Sequence, residues 1–222
     1  MPWRFLRTAA RMTVKRNVHL QVEGIDHVPR TGPVLIAARH FHHLYDGCAL
    51  IATLPRPAHI LVGLDWVANR PGRAAMEALC RSARWPVVMR PGGAQGIGMA
   101  EAGLAFRRAT RDSLQLFRDG RILLVFPEGY PNIDPGPTPK PDETSFLPFQ
   151  QGYLRLVGLA SRQGIPVPVV PAGFAYTKDD RWNVVLRFGA PLLPGSLPAE
   201  DFNRELEQRV RDLSGLDETV AS

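Results

Sequence analysis

The chain has 222 residues, 45% of them hydrophobic and 22% charged, which suits one folded globular domain and excludes a disordered protein. The formal net charge of +6 favours anionic partners: lipid surfaces, phosphorylated substrates or nucleic acid. No apolar run reaches the roughly 18 residues of a bilayer-spanning helix, and Cys48 and Cys80 sit in apolar stretches without metal-ligand spacing, as buried thiols of a reducing compartment would.

Residues 1–17 predict an amphipathic helix. At about 100° per residue, Arg4, Arg7, Arg11 and Lys15 share one narrow face, while Phe5, Leu6, Ala9, Met12 and Thr13 lie opposite, with Trp3, Ala10 and Val14 on the flank. A cationic face with aromatic residues at the helix start suits an anionic membrane interface. Residues 18–222 then read as a single domain in which strands and helices alternate. Strands are expected at 18–22, 34–38, 60–63, 86–89, 122–126, 167–171 and 182–188, several of them continuous apolar runs of the kind buried on both faces of a sheet. Helices are expected at 46–54, 73–84, 100–119, 150–163 and 198–213, the third and fourth followed by Gly120 and Gly164 as stop signals. This order implies an α/β layered fold: a central, largely parallel mixed sheet flanked by helices and preceded by the amphipathic helix. Residues 131–148, rich in Pro, Asp and Thr, read as a long surface loop, and such loops are often functional.

Two strand ends carry the chemistry. PVLIAARHFHHLYDG (33–47) runs from an apolar strand through three histidines to Asp46, and ILLVFPEGYPNID (122–134) runs from a second apolar strand into Phe126, Pro127, Glu128 and Gly129. In open α/β sheets ligands bind beyond the carboxyl ends of strands, where both segments belong. Pro127 ends central-strand pairing, so Glu128 is expected to turn outward at the edge of that crevice.

These segments resemble the PlsC-like glycerol-3-phosphate and lysophosphatidic acid acyltransferases across roughly residues 18–190. The Phe-Pro-Glu-Gly match is the strongest piece. RWPVVMR (84–90) keeps the terminal Arg of a second family motif without its glycine; IPVPVVPAGFAY (165–176) is similar to the family's last strand, and Gln150 and Gln151 stand where a basic residue is common. The family's Asn-His-x4-Asp pattern is altered: Arg39 replaces Asn, and five residues separate His40 from Asp46. His40, directly after the strand, is the favoured base because a turn absorbs an added residue more easily than a strand absorbs a change of register, although His42 stays open as the alternative.

The resemblance implies an enzyme that moves a fatty acyl group from acyl-CoA or acyl-carrier protein to the hydroxyl of a lysophospholipid, 1-acyl-sn-glycerol-3-phosphate first, in phospholipid biosynthesis. A histidine, titrating near neutrality, can take the hydroxyl proton while Asp46 steadies it. Arg90 offers a fork of donors to an acceptor phosphate, and the resemblance gives Phe126, Pro127, Glu128 and Gly129 to substrate binding. Neither a cofactor nor a metal is expected. The protein would sit on the cytoplasmic face of an anionic membrane, peripheral or monotopic. An impaired membrane-binding homologue, or an acyl-thioesterase on the same scaffold, is the alternative that the altered spacing raises.

Other motifs carry less. GGAQGIG (92–98) is similar to a dinucleotide loop, but no tyrosine has a lysine four residues later, as that family requires. His40, His42 and His43 fail the metal pattern at Leu44 and Tyr45. No Gly-x-Ser-x-Gly elbow occurs, and nucleic-acid binding has no motif beyond charge.

Overall fold

A computed structural model describes residues 3–67, 69–92 and 96–216. The chain opens with α1 (Trp3–Asn17), β1 (Val18–Glu23), β2 (Val34–Ala38), α2 (Tyr45–Thr53), β3 (Ala58–Ile60) and β4 (Val62–Gly63). It continues through α3 (Arg70–Ala83), β5 (Val87–Val88), α4 (Met99–Arg118), β6 (Ile122–Val125), α5 (Gly152–Arg162), the hairpin β7 (Val169–Lys178) and β8 (Trp182–Phe188), and α6 (Ala199–Leu213). Six strands form the main sheet in the order β1-β8-β7-β2-β6-β3, and only the β7–β8 pairing is antiparallel.

Alternation along the central strands divides the core. Val34, Ile36 and Ala38 of β2, with Ile122 and Leu124 of β6, face α1 and α2. Leu35, Ala37, Leu123 and Val125 point the other way, into a layer completed by α4, α5 and α6. Both faces of these strands are covered, which is why the sequence shows them as unbroken apolar runs. Cutting Leu124, which has no exposed surface, to Ala would cost about 2–5 kcal/mol. Helix α6 packs so close to β7 that a Cβ on Gly173 would lie 2.3 Å from the carbonyl carbon of Leu213.

Three expectations need correction. The apolar run 60–63 is two strands: the Leu61 N–H donates to Leu124 O in the main sheet, whereas Val62 N–H donates to Pro86 O and begins the separate β4–β5 pair. A short apolar run does not say which partner it pairs with. The strand expected at 167–171 extends to Lys178, because pairing with β8 carries it onward, and the β8 ladder closes at Ala172–Phe188, just before Pro171. Helix α1 packs through its flank, with Ala10 and Val14 buried, while Phe5 and Met12 are 64% and 68% exposed beside exposed Arg4, Arg11, Lys15 and Arg16. Arg7 and Arg11 each donate from Nε to Ala52 O, which anchors the cationic row to the end of α2.

Candidate active site

Strands β2 and β6 are parallel neighbours with Ala37 opposite Val125, so the residues that follow each strand emerge side by side. His40 leaves β2 and stacks on Phe126, with ring centroids 4.3 Å apart. Its Nδ1 lies 3.0 Å from Oδ2 of Asp46, the second residue of α2, whose side chain is fully buried. The same Oδ2 accepts the backbone N–H groups of Phe41 at 2.7 Å and His42 at 2.9 Å. The turn therefore wraps around the carboxylate, and the six-residue step from His40 to Asp46 closes without separating the pair. With Nδ1–H committed to Asp46, Nε2 is the nitrogen free to act as a base.

The other two histidines do different work. Nδ1 of His42 accepts the N–H groups of Leu44 at 3.2 Å and Tyr45 at 3.4 Å, and so caps the start of α2. Burial, helped by neighbouring His43, pushes the His42 imidazole down to about 4. It is held neutral with its Nδ1 lone pair occupied, whereas His40 Nδ1 faces the Asp46 carboxylate. His43 is exposed and bonds through Nδ1 to Ile133 O. Among the described residues, no group of three or more His, Cys, Asp or Glu side chains could hold a metal.

Glu128 does not turn outward. It is 1% exposed, and Oε1 accepts the His40 N–H at 2.8 Å while Oε2 accepts Leu147 N–H at 3.0 Å and lies 2.6 Å from Lys140 Nζ. An unpaired carboxylate at a strand end must find donors or face water; here the returning chain supplies them. Both oxygens are spent on the protein, so Glu128 frames the site. The segment 131–148 is less a surface loop than a strap. Lys140 Nζ also donates to His40 O and Asn132 Oδ1, and Arg39, 2% exposed, donates to Phe174 O and Glu143 O. Burial lowers the Lys140 ammonium despite the pull of Glu128, and burial likewise lowers the Arg39 guanidinium.

His40 opens onto a cavity of about 310 Å³ between the sheet and helices α4 and α5. Leu61, Phe106, Ala109, Val125, Leu156 and Leu159 give it apolar walls, and Asp65, Arg90 and Gln150 stand among its polar lining with Pro127 and Gly129. Arg90 is held on three sides: Nε donates to Asp65 Oδ2 at 2.8 Å, Nη1 to Gly129 O at 3.4 Å, and the guanidinium lies 4.0 Å from the centre of the Tyr130 ring. Gly129 has φ 78°, and a Cβ there would come within 2.9 Å of Gln150 Nε2. Residues 93–95 of the glycine-rich segment lie outside the described residues. Asp65, Lys140 and Tyr130 escaped sequence reasoning. For Lys140 a faint signal existed: it is one of three lysines in a chain whose cations are otherwise arginines.

A family model described as Acyltransferase matches residues 19–175, and the chain belongs to that family. No curated protein matches the sequence. The crystal structure of the 1-acyl-sn-glycerophosphate (LPA) acyltransferase PlsC from Thermotoga maritima shares the fold, with a TM-score of 0.65 and 17% identity. That match covers 99% of this chain and 81% of the other.

Proposed function

We propose that this acyltransferase moves a fatty acyl group from acyl-CoA or acyl-carrier protein to the free hydroxyl of a lysophospholipid, with 1-acyl-sn-glycerol-3-phosphate as the first acceptor to consider. The observation that carries this reading is the 3.0 Å contact between His40 Nδ1 and Asp46 Oδ2 in the wall of an apolar cavity. The acceptor hydroxyl approaches Nε2 of His40, which takes its proton as the oxygen attacks the thioester carbonyl. Asp46 steadies the imidazolium that forms. The tetrahedral intermediate collapses with loss of the thiolate, and His40 returns the proton to sulfur. The nucleophile belongs to the substrate, so no serine or cysteine of the enzyme is required.

The acyl chain would lie along the apolar walls between α4 and α5. Arg90, its guanidinium held in place by Asp65 and Tyr130, can donate from Nη2 to an oxygen of the acceptor phosphate. No described helix is long and apolar enough to cross a membrane. The exposed Phe5 and Met12 of α1, set beside exposed cations, support attachment to the surface of an anionic bilayer.

The test is product analysis by mass spectrometry with labelled acyl-CoA or acyl-carrier protein and a panel of lysolipid acceptors, run on the wild type and His40→Ala. An acylated phospholipid from the wild type alone supports the reading. Thiol release without a lipid product would make the protein a thioesterase.

A further inference from the structure

The carboxylate of Asp46 is held unevenly. Among the described residues, Oδ2 takes three donors of the His40–His42 turn, whereas Oδ1 accepts one bond, from the hydroxyl of Tyr176 at 2.6 Å. Tyr176 comes from β7, 130 residues away in the chain. Its ring stacks on Phe41, with centroids 4.2 Å apart and planes 14° from parallel, and meets Trp182 edge-on at 5.6 Å. Burial and the charge of Asp46 hold the phenol well above its usual range. It therefore keeps its proton at any working pH and acts as a permanent donor. It does not line the cavity, so it has no access to the acyl group or the acceptor.

We propose that Tyr176 is a positioning residue of the catalytic pair: its hydroxyl locks the rotation of the Asp46 carboxylate and draws charge from it, setting how firmly Asp46 steadies the His40 imidazolium. The inference rests on His40 being the general base. A carboxylate anchored through one oxygen can swing about its Cβ–Cγ bond; a donor on each oxygen removes that freedom. A hydrogen bond to the carboxylate also lowers its basicity, so less of its charge is available to the imidazole. Other charged or titratable groups face the pair: Arg39 from the end of β2, His42 from the turn, Cys48 from α2, and Glu128 and Lys140 from beyond β6. Asp65 and Arg90 share the cavity with His40. A change confined to the phenol leaves all of these in place.

The experiment is the pH profile of acyl transfer by the full chain, with long-chain acyl-CoA and the acceptor found by product analysis. Tyr176→Phe keeps the ring and removes the donor. Its kcat should fall about tenfold with acceptor KM within about twofold, and the acid limb of the profile should move up by about half to one pH unit, the scale of one hydrogen bond to a carboxylate. Site-specific replacement of Tyr176 by 3-fluorotyrosine, a more acidic donor, should move that limb down. This second measurement also answers the question if Tyr176→Phe does not fold. A profile unmoved by either change overturns the proposal and leaves Tyr176 as packing. His40→Ala is run beside them: if it is inactive while the tyrosine changes do nothing, only the role of Tyr176 falls; if it stays active, the general-base reading falls first and this inference with it.

Discussion

Lys140 Nζ lies 2.6 Å from Glu128 Oε2 with neither side chain exposed, and the two hold His40 by its backbone from both ends: Glu128 accepts its N–H and Lys140 donates to its carbonyl. The pair fastens the strap to the turn that carries His40. Removing one partner of such a buried pair strands the other charge. Lys140→Met should therefore cost about 3–5 kcal/mol of stability. Urea unfolding of the variant measures this, and an unchanged midpoint would show that the pair is dispensable.

His42 ties stability to acidity. Its imidazole caps α2 only when neutral, and its folded value near 4 lies below the ordinary 6.5. The stabilisation is complete above pH 6.5 and drains away as pH falls towards 4. The full effect is on the order of 1–3 kcal/mol. Urea midpoints at pH 7.5 and 4.5 should differ more for the wild type than for His42→Asn, which has no proton to gain. Equal losses would remove His42 from the acid response.

Gly129→Ala should weaken both the fold and the site. The left-handed backbone alone costs an L-residue about 1–2 kcal/mol, and the new methyl would press on Gln150 beside Arg90. Acceptor KM should rise several-fold as Arg90 is displaced. Steady-state kinetics with varied acceptor give the answer, and wild-type KM would show that Gly129 is not needed at the acceptor site.

The exposed apolar residues of α1 should govern membrane attachment. Phe5→Ser with Met12→Ser removes two side chains that point away from the core, so the fold should hold while vesicle binding falls at least about tenfold, each large apolar side chain being worth roughly 1.5–3 kcal/mol on burial. Co-sedimentation with vesicles containing anionic lipid tests this. Undiminished binding would place the membrane surface elsewhere on the molecule.

Chain length should be set by the apolar end of the cavity. Ala109 lines it from α4 and is 3% exposed. Ala109→Leu fills part of the space, so transfer from a long-chain acyl-CoA should drop relative to a shorter one. A panel of acyl-CoA lengths reads the ratio directly, and a constant ratio would put the acyl chain outside this cavity.

Much of this protein is written locally. Strands β2 and β8 and the bulk of each long helix follow from apolar runs and helical periodicity, properties of neighbouring residues that need no partner to be seen. His40, Asp46 and Arg90 could be singled out as candidates from the sequence because a strand end, a turn and a motif surround them within a few residues. Tertiary structure alone decided which histidine faces Asp46 and which caps α2, since both depend on how the turn closes over the start of that helix. It also decided that Glu128 faces inward, because its partner Lys140 arrives on a returning strap, and that Tyr176 reaches Asp46 across 130 residues of chain. Contacts at such separations leave no period or spacing in the sequence; they exist only once the sheet has brought the ends of β2, β6 and β7 together.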